Sequence, residues 1–186
     1  MMQELLLFGA LSVGLYFLLL MTVLKLPRCK STAKLHRKTA IVTGANTGIG
    51  KTTAMDLARR GARVILACRD RGRAEAAIQE IVQETGNNQV IFMQLDLASL
   101  KSVRSFADNF LRSESRLDLL INNVDFNCLT THRDLVLGSN SFQLFQNYSH
   151  SKLCNILFTY ELAKRLQGSD VTCYSLHPGQ YTSDFY

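Results

Sequence analysis

Ile41-Val42-Thr43-Gly44-Ala45-Asn46-Thr47-Gly48-Ile49-Gly50 is an apolar strand that runs into three glycines, with a helix opening at Gly48. Such a turn presents bare backbone N–H groups and the positive end of a helix, which together favour a phosphate. The spacing T-G-x-x-x-G-x-G after a strand is more specific than a lone G-x-G-x-x-G, because strand and helix both fall where a dinucleotide site requires them. The plainer reading is a βα turn that uses glycine only for tightness. A P-loop is the sharper rival, since Gly50-Lys51-Thr52 imitates its end and residues 90–96 imitate a Walker-B strand. Its first glycine, however, would have to stand where Ala45 is.

Outward from this turn, strands and helices alternate. Strands are expected at 39–43, 63–68, 90–95 and 117–121. Helices are expected at 48–60, through Ala74, Ala77, Ile78, Ile81 and Val82, and after a Ser99 cap through Val103, Phe106 and Phe110. The β-α-β-α-β-α-β order predicts an α/β fold: a Rossmann-type, doubly wound parallel sheet with right-handed crossovers and its ligand at the carboxyl ends of the strands. Between residues 122 and 147 the alternation fails, and only 135–137 reads as a strand. A helix over 148–166 and a last strand over 171–176 lead into His177-Pro178-Gly179.

Residues 5–24 are uncharged and leucine-rich, long enough to cross a hydrocarbon core as an N-terminal transmembrane helix. The head carries Glu4 and no basic residue, unlike a cleaved signal peptide. Lys25, Arg28, Lys30, Lys34, Arg37 and Lys38 follow the run, so the positive-inside bias predicts a cytosolic domain. The division expected is an anchor at 1–26, a basic juxtamembrane linker at 27–38 and a dinucleotide-binding domain at 39–186. Much of the net charge of +6 lies in that linker and suits anionic lipid head groups; nucleic acid is not an expected partner. The five cysteines, without a C-x-x-C pair, suit a reducing compartment, and no metal site is expected.

Three constellations carry chemistry. Strand two ends in Ala67-Cys68-Arg69-Asp70, where an arginine suits a ribose 2′-phosphate and an acid would suit a 2′-hydroxyl. Arg69 is the candidate clamp, with a solvated surface arginine as the bland reading. Asp96, followed by Leu97, reads equally as an acceptor for an adenine amino group or as a helix cap. Tyr148 and Lys152 share a helix face one turn apart. A phenol titrates near 10, and a neighbouring ammonium brings it within reach of acid–base work at neutral pH.

T-G-A-N-T-G-I-G, Asp96-Leu97, Asn122-Asn123, Y-S-H-S-K and H-P-G together resemble the short-chain dehydrogenase/reductase family, and A-C-R-D with the apolar N-terminus resembles its retinol-dehydrogenase-like branch. The resemblance implies NADP(H), hydride transfer between an alcohol and a carbonyl, a lipid-like substrate such as retinol or retinal, and an endoplasmic reticulum membrane with the catalytic domain facing the cytosol. It implies Tyr148 as proton donor or acceptor with Lys152 as its partner. Gly44, Asn46, Thr47, Gly48, Ile49 and Gly50 would hold the pyrophosphate side, Arg69 the 2′-phosphate, and Asp96 with Leu97 the adenine. Asn123, Pro178 and Gly179 would flank the nicotinamide half.

Two departures stand out. Val124-Asp125 replaces the family's second half of N-N-A-G, and only 24 residues separate Asn123 from Tyr148. The family places a long helix, a strand ending in a catalytic serine, and a loop in that interval; one crossover with its helix alone needs about 10–12 residues. Ser139 and Ser141 do not stand at the family's distance from Tyr148. A shortened chain is therefore expected, with a deletion near 124–147 and a truncated C-terminus. The competing readings are a catalytically silent nucleotide-binding remnant from splicing or an incomplete gene model and, more remotely, a P-loop phosphohydrolase.

Overall fold

Every residue of Thr39–Thr43 (β1) is buried, as in a strand covered on both faces. The computed structural model describes residues 12–16, 18, 31–123 and 141–176, with the side chains of 141–148, 150 and 151 outside the description. β2 (Arg63–Cys68) runs parallel to β1 and pairs Ile41 with Ile65 and Val42 with Leu66. β3 (Val90–Gln94) lies outside β2, and β4 (Leu119–Ile121) pairs with the far side of β1. The order β3-β2-β1-β4 thus changes direction between β1 and β4, which is where a doubly wound sheet opens a crevice.

Alternation along β1 and β2 builds two cores. Val42, Val64 and Leu66 face one way and bury against Ala54 and Ala58 of α1 (Gly48–Arg59) and Ala74, Ala77 and Ile81 of α2 (Arg71–Thr85). Ile41, Ile65 and Ala67 face the other way and bury against Phe106 and Phe110 of α3 (Leu100–Ser113). Alanines make up most of the buried faces of α1 and α2, whereas α3 buries two phenylalanines. Truncating a fully buried residue such as Leu66 to alanine costs about 2–5 kcal/mol in such a core.

Local chemistry fixes where the helices start. Asp70 accepts from the Arg73 N–H and caps α2; Ser99 accepts from the Ser102 N–H and caps α3. Asn87, just beyond α2, donates to the carbonyls of Ala58 and Ala62, both at 2.9 Å, and so ties the start of β3 to the end of α1. Gly61 has φ +89°, and the imidazole of His36 occupies the place its Cβ would take.

Residues 1–33 and 34–186 form separate compact units. Residues 12–16 and 18 are helical, and the rest of the apolar run lies outside the described residues. No helix among the described residues is long and apolar enough to cross a membrane. From Lys34 onward the chain already belongs to the folded unit: the Leu35 N–H donates to the Arg60 carbonyl at 2.8 Å, and Leu35 packs against the α1–α2 core.

Three expected elements differ. β4 starts at Leu119 rather than 117; Asp118 just before it donates its N–H to the Thr39 carbonyl and bonds through its side chain to Lys38, Arg116 and the Thr39 N–H. α4 (Ser141–Arg165) begins seven residues before Tyr148. Residues 171–176 form no strand and pair with none of the four strands of the described sheet, and Val171, Tyr174 and Leu176 are exposed. The strand expected at 135–137 lies outside the described residues.

Candidate functional site

A cleft of ≈ 370 Å³ opens at the carboxyl ends of β1, β2 and β3. Thr43, Gly44 and Asn46 form one wall, Ala67 to Asp70 and Arg73 a second, and Leu95 to Ala98 a third. It falls within the size range of small-molecule sites, roughly 300–1,000 Å³.

The glycine turn is built by exclusion of side chains. Gly44 and Gly48 have φ +61° and +55°, in the left-handed region that favours glycine. At Gly50 a Cβ would lie 2.4 Å from the Gly44 carbonyl oxygen and 2.7 Å from Asn123 Nδ2, so the third glycine serves close packing of α1 on the strand ends. Thr47 stands before α1 without a side-chain cap, in contrast to Asp70 and Ser99 on the next two helices. The first N–H groups of α1 therefore receive no acceptor from their own cap residue, and a phosphate satisfies such groups.

The far end of the cleft is basic. Arg69 lines it while its carbonyl is held by Gln94 Nε2 at 2.9 Å. Arg73, one turn into α2, lines the same wall and lies 3.7 Å from the Asp70 carboxylate. Asp70 thus both caps the helix and offsets part of the arginine charge. Sequence reasoning missed Arg73, although its place four residues after Arg69 on a helix start was the available signal.

Asp96 resolves its two readings differently from either alone. Its Oδ1 accepts from the Ala98 N–H at 3.0 Å, its own N–H donates to Ser102 Oγ, and Ser99 is the residue that caps α3. The carboxylate nonetheless lines the cleft, beside Leu97.

Cys68 is a second residue overlooked for the site. Its thiol is buried beneath the glycine turn, and that burial pushes its pKa up, against the opposing pull of the Ala45, Asn46 and Gly44 N–H groups. The sulfur therefore stays a protonated packing group under the loop.

Asn123 is structural as well as near the cleft. Its N–H donates to Thr43 Oγ1 at 2.9 Å and its Nδ2 to the Thr43 carbonyl at 3.2 Å, locking the ends of β4 and β1 together over Gly50.

Lys51 lies between α1 and α2, where its ammonium pairs with Glu80. That placement draws the lysine of Gly50-Lys51-Thr52 toward α2, away from the role of a P-loop lysine.

The cleft gathers Gly44, Asn46, Arg69, Asp96 and Leu97. Tyr148 and Lys152 lie on α4, and among the described residues none from α4 lines this cleft. The side chain of Tyr148, together with Pro178 and Gly179, lies outside the described residues. Leu153, Ile156, Leu157 and Phe158 of α4 are 46–57% exposed, unlike the buried faces of the first three helices.

A family profile described as short chain dehydrogenase matches residues 38–135. The chain belongs to the short-chain dehydrogenase/reductase family. It is 43% identical to dehydrogenase/reductase SDR family member 13 of Bos taurus, in an alignment covering all of this chain and 62% of that protein. It is 45% identical to retinol dehydrogenase 11 of Mus musculus over 84% of this chain and 65% of the relative. The chain thus spans less than two thirds of the length of these curated relatives.

Part of the shortfall is internal. The first alignment runs over 235 positions and this chain supplies 186 residues, leaving at least 49 positions of the relative without a counterpart. The second, 206 positions against 84% of 186 residues, leaves about fifty.

Among solved structures, the fold resembles the Pseudomonas aeruginosa RhlG/NADP active-site complex, with a TM-score of 0.64 at 21% identity over 81% of this chain and 75% of the other. A Shigella flexneri 2a str. 301 protein described as a short chain dehydrogenase complexed with NADP has a TM-score of 0.53 at 26% identity, over 76% of this chain and 59% of the other.

Proposed function

We propose that the cleft binds NADP(H) and that the chain belongs to an enzyme interconverting an alcohol and a carbonyl on a lipid-like substrate such as retinol or retinal. The observation that carries the cofactor is the pairing of an α1 start that its own cap residue leaves unsatisfied with the basic wall of Arg69 and Arg73 across one cleft. The first suits a pyrophosphate, the second a 2′-phosphate, and their separation across the strand ends suits an adenosine between them. The substrate class rests on likeness to relatives named retinol dehydrogenases.

NADP(H), when bound, supplies or accepts the hydride. The chain's own groups do the rest: Tyr148 exchanges a proton with the substrate oxygen, and Lys152 favours its phenolate by charge. Gly44, Asn46, Thr47, Gly48 and Ile49 carry the pyrophosphate side with Gly50 setting the packing beneath them. Asp96 and Leu97 meet the adenine, while Asn123, Pro178 and Gly179 border the nicotinamide half. Residues 1–26 anchor the chain in the endoplasmic reticulum membrane, residues 27–38 link it, and the domain faces the cytosol.

Two observations favour a second reading, in which this form binds nucleotide and turns over slowly. The exposed apolar residues of α4 and the roughly fifty missing positions fit a deletion near 124–147 that removed the neighbours of the catalytic helix. Losing one donor to a developing oxyanion costs on the order of 10²–10³ in rate. NADPH-dependent retinal reduction by the 186-residue chain separates the two readings. We expect weak turnover, restored when the relative's missing positions are inserted; robust turnover abolished by Tyr148→Phe would establish that this chain is active as it stands.

A further inference from the structure

The sheet has a second charged end, opposite the cleft. At the amino ends of β1, β2 and β4, three acids answer four cations: Asp56 holds Arg60 at 2.7 Å, Glu114 holds Arg63 through two bonds of 2.7 Å, and Asp118 is shared by Lys38 at 3.0 Å and Arg116 at 2.8 Å. The Leu35–Arg60 backbone bond brings the Lys34–Lys38 turn against the end of α1, so Lys34, Arg37 and Arg59 join this surface. All three are exposed and have no acidic partner among the described residues. Arg112 and Glu84, at the ends of α3 and α2, offset one another and leave the surplus in place.

We infer that this basic end of the folded domain docks on an anionic bilayer surface. The inference rests on reading residues 5–24 as a membrane anchor, and it assigns a role to a surface outside the cofactor site. The folded unit begins at Lys34, ten residues beyond Leu24, and ten extended residues reach at most about 35 Å. The chain enters the folded unit at Lys34 on this surface, and Lys25, Arg28 and Lys30 precede it in sequence. Each basic residue near an anionic leaflet strengthens association by about fivefold. Docking by this end leaves the cleft, at the opposite ends of the strands, open to the water from which a soluble dinucleotide arrives.

The full chain, reconstituted on phosphatidylcholine vesicles and on phosphatidylserine-rich vesicles, tests this by amide exchange. We expect residues 34–38 and 59–63 to exchange at least about threefold more slowly on the anionic vesicles, with β3 unchanged as a control for folding. High salt or the double change Arg37→Glu with Arg59→Glu should remove the difference. Equal exchange on both lipids, with the chain floating on both, overturns the docking surface while the anchor stands. Flotation on the anionic vesicles alone, in a salt-sensitive way, supports the surface and overturns the anchor; flotation on neither overturns both. Protection by a soluble RNA and not by vesicles would make this end a nucleic-acid surface instead.

Discussion

Single atoms decide the glycine turn. At Gly50 an added methyl has backbone on one side and the Asn123 amide on the other, so neither neighbour yields cheaply. Gly50→Ala is expected to cost about 1–3 kcal/mol by overpacking and to weaken nucleotide binding along with it. Chemical denaturation and a cofactor titration on the same variant measure both. Asp118 offers a charge counterpart. The Arg116 guanidinium holds its carboxyl well below its ordinary value of 3.8, with further help from the Thr39 N–H and Lys38. Because the folded state favours the ionised form, that contribution is present above about pH 4 and is lost as pH falls through the lowered value. Asp118→Asn should therefore destabilise by about 1 kcal/mol at pH 7, and the gap to the unmutated chain should narrow in denaturant midpoints taken below pH 4.

At the scale of elements, the sequence was legible wherever one strand or helix carries its own signal. The buried run Val64-Ile65-Leu66-Ala67, the Ser99 cap and the glycine spacing each fix a boundary locally, and the structure places β2, α3 and the turn accordingly. Arg69 was legible from its place after β2, whereas Arg73 was not, because only the fold shows which side of a helix start faces the cleft. Residues 171–176 failed for a related reason. A parallel strand exists only beside a partner, and apolar alternation cannot say whether that partner is present. Asn87 was equally invisible to pattern, since it acts by tying the turn before β3 to the end of α1 and the turn after it, through carbonyls 25 and 29 residues away. Asn87→Ala should cost about 1–3 kcal/mol by removing the amide that bonds the Ala62 carbonyl and adds to the backbone donors already on Ala58, read as a lowered midpoint of unfolding. An unchanged midpoint would mean that water replaces the amide.

For the molecule as a whole, β1 to β3 and the helices around them are well packed beside the cleft, and no described residue of α4 lines it. β1 to β3 and the first three helices bury apolar residues in two cores beside the cleft, while Leu153, Ile156, Leu157 and Phe158 of α4 are exposed. Family membership and the cleft therefore point to cofactor binding more directly than to turnover, and cofactor binding is where the account is most exposed. The decisive measurement is the affinity of the full chain for NADPH and for NADH, with and without Arg69→Ala. Charge-assisted bonds to a 2′-phosphate are worth about 1.5–3 kcal/mol, so NADPH should bind about tenfold or more tightly than NADH, and Arg69→Ala should narrow that margin. Equal affinity of the unmutated chain for the two dinucleotides, or binding of neither, would contradict the account.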